Sequence, residues 1–348
     1  MTINLQKISK RAGLVIAFMG LGLLVGHGTV QAQERIILRY AFFAPAQSFP
    51  AVQMQHWADE LESRTDGRVS VELFPGGTLL TANNMYDGVL NGVADIGLSA
   101  TSYEPGRFAL LNLAGSLTGQ EVNSEIASQM TYQLIQEFKE HMPEFDNFKV
   151  VTAFTSEPAY LQTRDPVRSL EDLKGAEIRI SGDNSIALEA LGATAIGMSQ
   201  ADAGEALQTG IIDGYAASRE VLKDLQFARM AKYVTDYPLT NTLFAALMSQ
   251  ERWESLPEDI QQVIDELASE MAAFTGRYLD EHIERSLEWA QAEQDVEIVT
   301  LSEEELARWN ERLVPVNEVL LDEVEAQGLP AREFAQRMHE LMKEYRNP

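Results

Sequence analysis

The sequence predicts an α/β protein with two related lobes, followed by a helical C-terminal region. Residues 35–103 and 149–218 both alternate predicted strands and helices, the rhythm of a parallel sheet covered by helices. The two stretches also share a local pattern, in which a helix is followed by glycine, two apolar residues and aspartate. From residue 250 onward the apolar spacing is helical. These observations together favour two α/β units and a helical end.

In the first stretch, alternating or β-branched segments predict strands, and an amphipathic segment that ends at Gly67 predicts the first helix. The break at 75–77, Pro-Gly-Gly, ends the second strand. The last strand runs into a polar loop. The predicted elements are strands at 35–45, 68–77 and 93–103, and helices at 48–67 and 83–92.

The second stretch repeats this order. Gly210 and Asp213 stand where Gly92 and Asp95 stand in the first stretch, so each glycine is predicted to end a helix before a strand. Ser302, three residues before Glu305, predicts a helix start. The elements are strands at 149–163, 176–182, 194–199 and 211–218, and helices at 169–175, 184–193, 200–210, 251–293, 302–328 and 331–346.

The N-terminus predicts export. Lys7, Lys10 and Arg11 precede the apolar run 12–26, and small residues at 30–32 suit a signal peptidase, so residues 1–32 are expected to be a signal peptide cleaved after Ala32. A membrane anchor is the alternative, but the run is short for a bilayer. The expected location is the periplasm.

Charge and composition exclude several classes of protein. The net charge of −26 argues against nucleic-acid binding, which needs a basic face. It fits either a solvated acidic surface or adaptation to a salty medium. The absence of cysteine excludes thiolate metal sites and thiol catalysis. No histidine spacing typical of a metal site, nucleophile elbow or P-loop occurs. We therefore expect no enzyme, no metal and no cofactor, with an exported hydrolase or lyase as the disfavoured alternative.

Arg179 is the most informative single residue. It lies in the middle of a predicted buried strand, "AEIRISG" (176–182), where a permanent cation is costly unless an anion pairs with it. That anion is either a carboxylate of this acidic protein or a bound ligand, and the residues alone leave both open.

Several motifs resemble the solute-binding proteins of tripartite ATP-independent periplasmic (TRAP) transporters. They occur in the family's order along residues 35–345, and the family's first helix and second strand resemble 57–79. The motifs are "PVRSLEDLKGAEIRISG" (166–182), "LGATAIGMS" (191–199), "ALQTGIIDG" (206–214) and "W-x-x-L-P" (253–257).

The resemblance implies a two-lobed periplasmic binding protein fold with a ligand cleft between the lobes, crossover strands and a long spanning helix. It assigns 33–155 plus about 212–250 to lobe I, 156–211 plus about 251–330 to lobe II, and 331–348 to a C-terminal helix. Arg179 falls on the family's carboxylate clamp. The implied function is capture of an organic acid for delivery to TRAP permease membrane subunits, by a protein expected to be a monomer. A sensor subunit for the same acids is the alternative.

Two differences from the family's usual residues change the ligand that we expect. Many family members carry a second arginine where this protein has Ala159, and an asparagine where it has Ala217. The loss of these polar groups favours an apolar, aromatic monocarboxylate over a sugar acid or a four-carbon dicarboxylate. The aromatic residues on predicted loops, Phe42 among them, are candidates for either ligand contact or packing. The predicted ligand-binding residues are Arg179, Phe43, Tyr103, Glu157, Tyr160, Tyr215, Ser218 and Asn241.

Overall fold

Two mixed β-sheets organise the protein in this computed structural model, which describes residues 35–346 except 105, 120–121 and 183–184. The predicted signal peptide, with its cleavage point after Ala32, lies outside the described residues. The strands are β1 (Ile36–Phe42), β2 (Val69–Phe74), β3 (Ile96–Ala100), β4 (Phe148–Pro158), β5 (Tyr160–Thr163), β6 (Glu177–Ile180), β7 (Thr194–Gly197), β8 (Gly214–Ala217), β9 (Tyr233–Thr235), β10 (Asn241–Ser249) and β11 (Glu297–Val299).

Helices cover both sheets. None of those in the described ranges has the length and apolar character that crossing a bilayer requires. They are α1 (Phe49–Arg64), α2 (Met85–Leu90), α3 (Ala109–Ser116), α4 (Ser124–Glu137), α5 (Ile186–Leu191), α6 (Gln200–Thr209), α7 (Val221–Asp224), α8 (Gln250–Glu254), α9 (Glu258–Gln294), α10 (Glu303–Glu325) and α11 (Ala331–Arg346).

The first sheet has the strand order β2-β1-β3-β10-β4 and the second has β11-β9-β5-β8-β6-β7. In both, the β-α-β units give parallel pairs, whereas β10 and β5, which enter from the other sheet, pair antiparallel. β11 enters the second sheet after α9 and pairs in parallel with β9. Each sheet has its own hydrophobic core. The molecule is thus a two-lobed α/β fold, as predicted.

The internal repeat has a physical counterpart. Gly92 and Gly210 both adopt positive φ, 69° and 75°, after a helix. The carboxylate of Asp95 then accepts a hydrogen bond from the backbone N–H of Arg39 at 2.8 Å, and that of Asp213 accepts one from Glu177 at 2.9 Å. Each aspartate, directly before its strand, therefore accepts a hydrogen bond from the backbone of a neighbouring strand in both lobes.

The polypeptide passes between the lobes along two adjacent segments. β4 continues into β5, and β9 leads into β10; the two segments are joined by hydrogen bonds from Ala159 N to Thr240 O at 2.6 Å and from Leu239 N to Ala159 O at 2.9 Å. The 37-residue α9 packs on β4, α1 and α4 of the first lobe and on α7 of the second. These crossover strands and this spanning helix were predicted.

The structure differs in two respects from the predicted division into lobes. Residues 251–330 were assigned to the second lobe, but α8 and much of α9 pack on the first. Residues 212–250 were assigned to the first lobe, but β8 and β9 lie in the second sheet. The reason is local, because β8 follows α6 and pairs in parallel with β6, completing a β-α-β unit within one sheet. The polypeptide returns to the first lobe only at β10. The region after 250, predicted to be wholly helical, also contains the short strand β11.

Candidate functional site

Arg179 lies in β6, between β7 and β8, and its side chain is fully buried. Register places it opposite Ile196 on one side and Tyr215 on the other. A strand in the interior of a parallel sheet has both faces covered, which explains why a residue there loses contact with water. Burial lowers the pKa of Arg179, while its contact with Tyr103 acts in the opposite direction.

The guanidinium group of Arg179 donates only to neutral oxygens in the described part of the protein. Nε and Nη2 donate to the carbonyl of Met198 at 3.0 and 2.8 Å, and Nη1 donates to Oε1 of Gln200 at 2.5 Å. Nη2 also donates to the hydroxyl of Tyr103 at 3.0 Å. Among the residues described, no carboxylate lies within ion-pair distance. The internal salt bridge that the sequence left open is therefore not seen in these ranges.

The hydroxyl oxygen of Tyr103 accepts two hydrogen bonds from the opposite lobe. Besides Arg179, the backbone N–H of Gln200 donates to it at 3.0 Å. Gln200 is the first residue of α6, whose N-cap is Ser199, so this amide lies at the positive end of a helix. A guanidinium and a helix N-terminal amide thus converge on one oxygen. That combination suits an oxyanion.

Tyr103 reaches this position from the first lobe. It ends the short 3-10 turn after β3 and packs edge-on against Phe43, with ring centroids 5.3 Å apart. Close to it, Gly182 of the second lobe meets the backbone of Ser102: a Cβ on Gly182 would lie 1.7 Å from the carbonyl oxygen of Ser102. The two lobes are therefore in direct contact beside Arg179.

A cavity adjoins this contact and is lined by both lobes. The first lobe supplies mostly aromatic groups, among them Phe43, Phe49 and Phe244, and Phe49 packs edge-on against Phe244 at 5.7 Å. The second lobe supplies polar ones, among them Ser218 and Gln200. The arrangement of an apolar wall with a few polar groups is typical of a small-molecule site.

Two acids also line the cavity. Glu220 is buried, and the hydroxyl of Ser218 donates to its carboxylate. Burial raises the pKa of Glu220 to about 8, and the negative charges of Asp224 and Glu157 add to the increase. Asp224 has one oxygen 2.8 Å from Nε2 of His282, whereas its Oδ2 is buried without a hydrogen-bond partner in the described structure.

The structure brings three of the predicted residues to this cavity: Phe43, Tyr103 and Ser218 all line it. Arg179 is not itself part of the lining, because Tyr103 and Gln200, which do line the cavity, cover its guanidinium group.

Two other predicted residues are buried elsewhere. The hydroxyl of Tyr215 donates to Oε1 of Gln162 at 2.8 Å, and its ring packs against Phe227. The amide of Asn241 donates to the carbonyl of Ser156 at 3.0 Å, where the crossover strands meet.

The remaining two lie in a separate, more open cleft. Glu157 forms a buried ion pair with Arg219, and the guanidinium carbon of Arg219 lies 3.9 Å from the centre of the Tyr160 ring. Arg219 thus contacts both side chains, and Oε2 of Glu157 also lies 3.4 Å from the hydroxyl of Ser218, which lines the cavity beside Arg179.

Sequence reasoning missed most of the residues that line the cavity, among them Phe49, Gln200, Glu220, Asp224 and Phe244. Gln200 had a local signal, since it follows the helix-capping Ser199. The acids had none, because single carboxylates carry little information in a sequence with 53 of them. Ala159 and Ala217 stand where many family members have arginine and asparagine. Ala217 lines the cavity, and Ala159 does not.

The sequence matches a known protein family, and the structure resembles solved members of it. Residues 41–323 match bacterial extracellular solute-binding protein, family 7. The C4-dicarboxylate-binding protein DctB of Bacillus subtilis is 21% identical, in a match that covers 82% of each protein. A TRAP periplasmic solute-binding protein from Desulfovibrio salexigens, solved as an open complex with the C-terminus of a symmetry mate in its ligand-binding site, is 40% identical over 89% of this protein and 96% of that one, with a TM-score of 0.78.

A TRAP solute-binding protein from Rhodoferax ferrireducens, solved in complex with copurified benzoate, shares the fold with a TM-score of 0.83. It is 22% identical over 89% of this protein and 98% of that one. Both solved proteins are named as TRAP solute-binding proteins. The matched family model spans most of the sequence, and the two-lobed fold agrees with it. The protein therefore belongs to the extracellular solute-binding proteins of family 7, the solute-binding components of TRAP transporters.

Proposed function

We propose that this protein captures an organic acid in the periplasm, holds its carboxylate with Arg179 and the N-terminal amide of α6, and delivers it to TRAP permease membrane subunits. The observation that carries the proposal is the convergence of Arg179 Nη2 and Gln200 N on one oxygen, each at 3.0 Å. That oxygen belongs to the phenol of Tyr103. A carboxylate oxygen is a stronger acceptor than a phenol, because it carries charge.

The lobes explain how the carboxylate gains access. Tyr103 belongs to the first lobe and its two donors belong to the second. Hinge opening at the crossover strands therefore separates the hydroxyl from Arg179 and uncovers the donors. A ligand that enters the open cleft takes the acceptor position, and closure buries the resulting charge pair.

The relatives support an acidic ligand. The Desulfovibrio salexigens protein holds the C-terminus of a symmetry mate in its ligand site, and a polypeptide C-terminus is a carboxylate. The Bacillus subtilis relative is named for binding C4-dicarboxylates. In the present protein the aromatic wall formed by Phe43, Phe49 and Phe244 leaves the rest of the ligand in largely apolar surroundings.

The proposal is tested by a thermal-shift screen of mature protein against carboxylic acids, followed by calorimetry, because a ligand that binds only the folded state raises its melting temperature. We expect carboxylates to stabilise the protein and the matched primary amides to have no effect. Equal stabilisation by acid and amide would contradict the carboxylate clamp. Mass spectrometry of periplasmic material should find a protein that begins at Gln33, and an intact N-terminus would contradict export by a cleaved signal.

A further inference from the structure

We propose that Glu220 and Asp224 form a second, anionic subsite in the cavity, and that the ligand is an amphoteric acid carrying a protonated amino group as well as a carboxylate. This inference rests on the proposed function, since it takes the carboxylate to be held at Arg179. It replaces the apolar monocarboxylate that the sequence favoured.

The cavity has a donor end and an acceptor end. Arg179 and the N-terminal amide of α6 supply the donors. Glu220, three residues after β8, and Asp224, at the end of α7, supply acceptors from the same lobe. Tyr103 and Gln200, which contact Arg179, line the same cavity as the two acids, so a molecule that takes the place of the Tyr103 hydroxyl can reach both ends.

Glu220 lacks a cation. The residue is 4% exposed, its carboxyl group receives a hydrogen bond from Ser218, and no lysine or arginine of the described residues lies within ion-pair distance of it. Its neighbour Glu157 is different, because Arg219 donates to it from both the backbone and the side chain. A buried acid with no cation favours its protonated form, and a cationic ligand group would stabilise the ionised carboxylate instead.

Asp224 supplies the second and independent observation. Its side chain is 7% exposed, and His282 contacts Oδ1 at 2.8 Å. The other oxygen, Oδ2, is buried without a partner in the ranges described. An unpaired buried acceptor in a cavity wall is an unusual feature of a folded protein. An ammonium group has three donors and no acceptor, so it can satisfy Oδ2 of Asp224 and the carboxylate of Glu220 together.

The test uses isosteric carboxylic acids that differ in one group. The aromatic series is 3-(aminomethyl)benzoate, 3-(hydroxymethyl)benzoate and 3-ethylbenzoate, and the aliphatic series is 5-aminopentanoate, 5-hydroxypentanoate and hexanoate. Calorimetry on wild type should show the amine binding at least about tenfold more tightly than its two isosteres in one series or both. Glu220→Gln and Asp224→Asn should each remove most of that preference while keeping measurable binding of the uncharged isosteres.

The control is Glu205→Gln, which removes the same charge from an exposed position on α6 and should keep the wild-type preference. Melting curves of all variants establish that they fold. If the hydroxyl or alkyl isosteres bind as tightly as the amine in both series, the anionic subsite is wrong while carboxylate capture stands. If amine-bearing compounds bind equally well without a carboxylate, the proposed function fails instead.

Discussion

The hydroxyl oxygen of Tyr103 lies 3.0 Å from Nη2 of Arg179, although the two residues are 76 positions apart and belong to different lobes. The same oxygen lies 3.0 Å from the amide of Gln200. The phenol therefore occupies the place that we assign to a ligand oxygen, and it links the lobes in the structure described here. This relationship makes both the clamp and the closure of the lobes accessible to experiment.

Replacing Arg179 should abolish tight binding of the acid. Arg179→Ala removes a buried charge and its planar fork, and the loss of one partner of such a pair costs roughly 2–5 kcal/mol, or about thirty-fold to several-thousand-fold in affinity. Arg179→Lys should recover only part of this, because an ammonium cannot make two parallel hydrogen bonds to a carboxylate. Calorimetry measures both variants. Arg285→Ala, an exposed arginine on α9, is the control, and normal affinity in Arg179→Ala would rule out the clamp.

Removing the Tyr103 hydroxyl should shift the unliganded protein toward an open form. In Tyr103→Phe, Arg179 and the Gln200 amide lose an acceptor that comes from the other lobe, whereas the edge-on ring contact with Phe43 is kept. Small-angle scattering of the unliganded variant should give a larger radius of gyration than wild type, and saturating ligand should restore compaction. An identical radius for both unliganded proteins would show that this contact does not bias closure.

A side chain at Gly182 should block closure. The Cβ of Gly182→Ala would lie 1.7 Å from the carbonyl oxygen of Ser102, which is backbone and cannot move aside cheaply. We expect the variant to fold, to stay extended at saturating ligand in scattering, and to bind at least about tenfold more weakly, since closure supplies part of the affinity. Gly175→Ala is the matched control, because Gly175 has a similar positive φ of 79° but open space around its Cβ position. Wild-type compaction in Gly182→Ala would refute the close approach.

Glu220 should make the unliganded protein less stable as the pH rises. Burial raises the pKa of Glu220 from 4.5 to about 8 in the folded state, so between these values the folded protein keeps a proton that the unfolded state has lost. The free energy of unfolding therefore falls with pH across this window and levels off above it. Glu220→Gln cannot titrate, so its stability relative to wild type should grow by on the order of 2–4 kcal/mol from pH 5 to pH 8.5.

Urea denaturation of the two proteins at a series of pH values measures this difference. Glu205→Gln, which removes an exposed carboxylate, should show no such trend relative to wild type. A difference between Glu220→Gln and wild type that stays constant with pH would mean that Glu220 titrates as an ordinary exposed acid.

What the sequence determined by itself is local and periodic. Apolar spacing predicted the alternation of strands and helices, and Gly92 and Gly210 marked helix ends because a residue with positive φ favours glycine. The position of Arg179 in a buried strand also followed from its neighbours, as did its need for an anionic or hydrogen-bonding partner. These features depend on residues within a few positions of each other.

What only the tertiary structure decided is which distant residues meet. Glu157 and Tyr160 were predicted to bind the ligand, but Arg219, some sixty residues away, contacts both in another cleft. Glu220 and Asp224 could not be told from the other acids until the fold enclosed them beside Phe49 and Phe244. The reason is physical: the cost of a buried charge and the partner that relieves it depend on long-range packing, which no local pattern encodes.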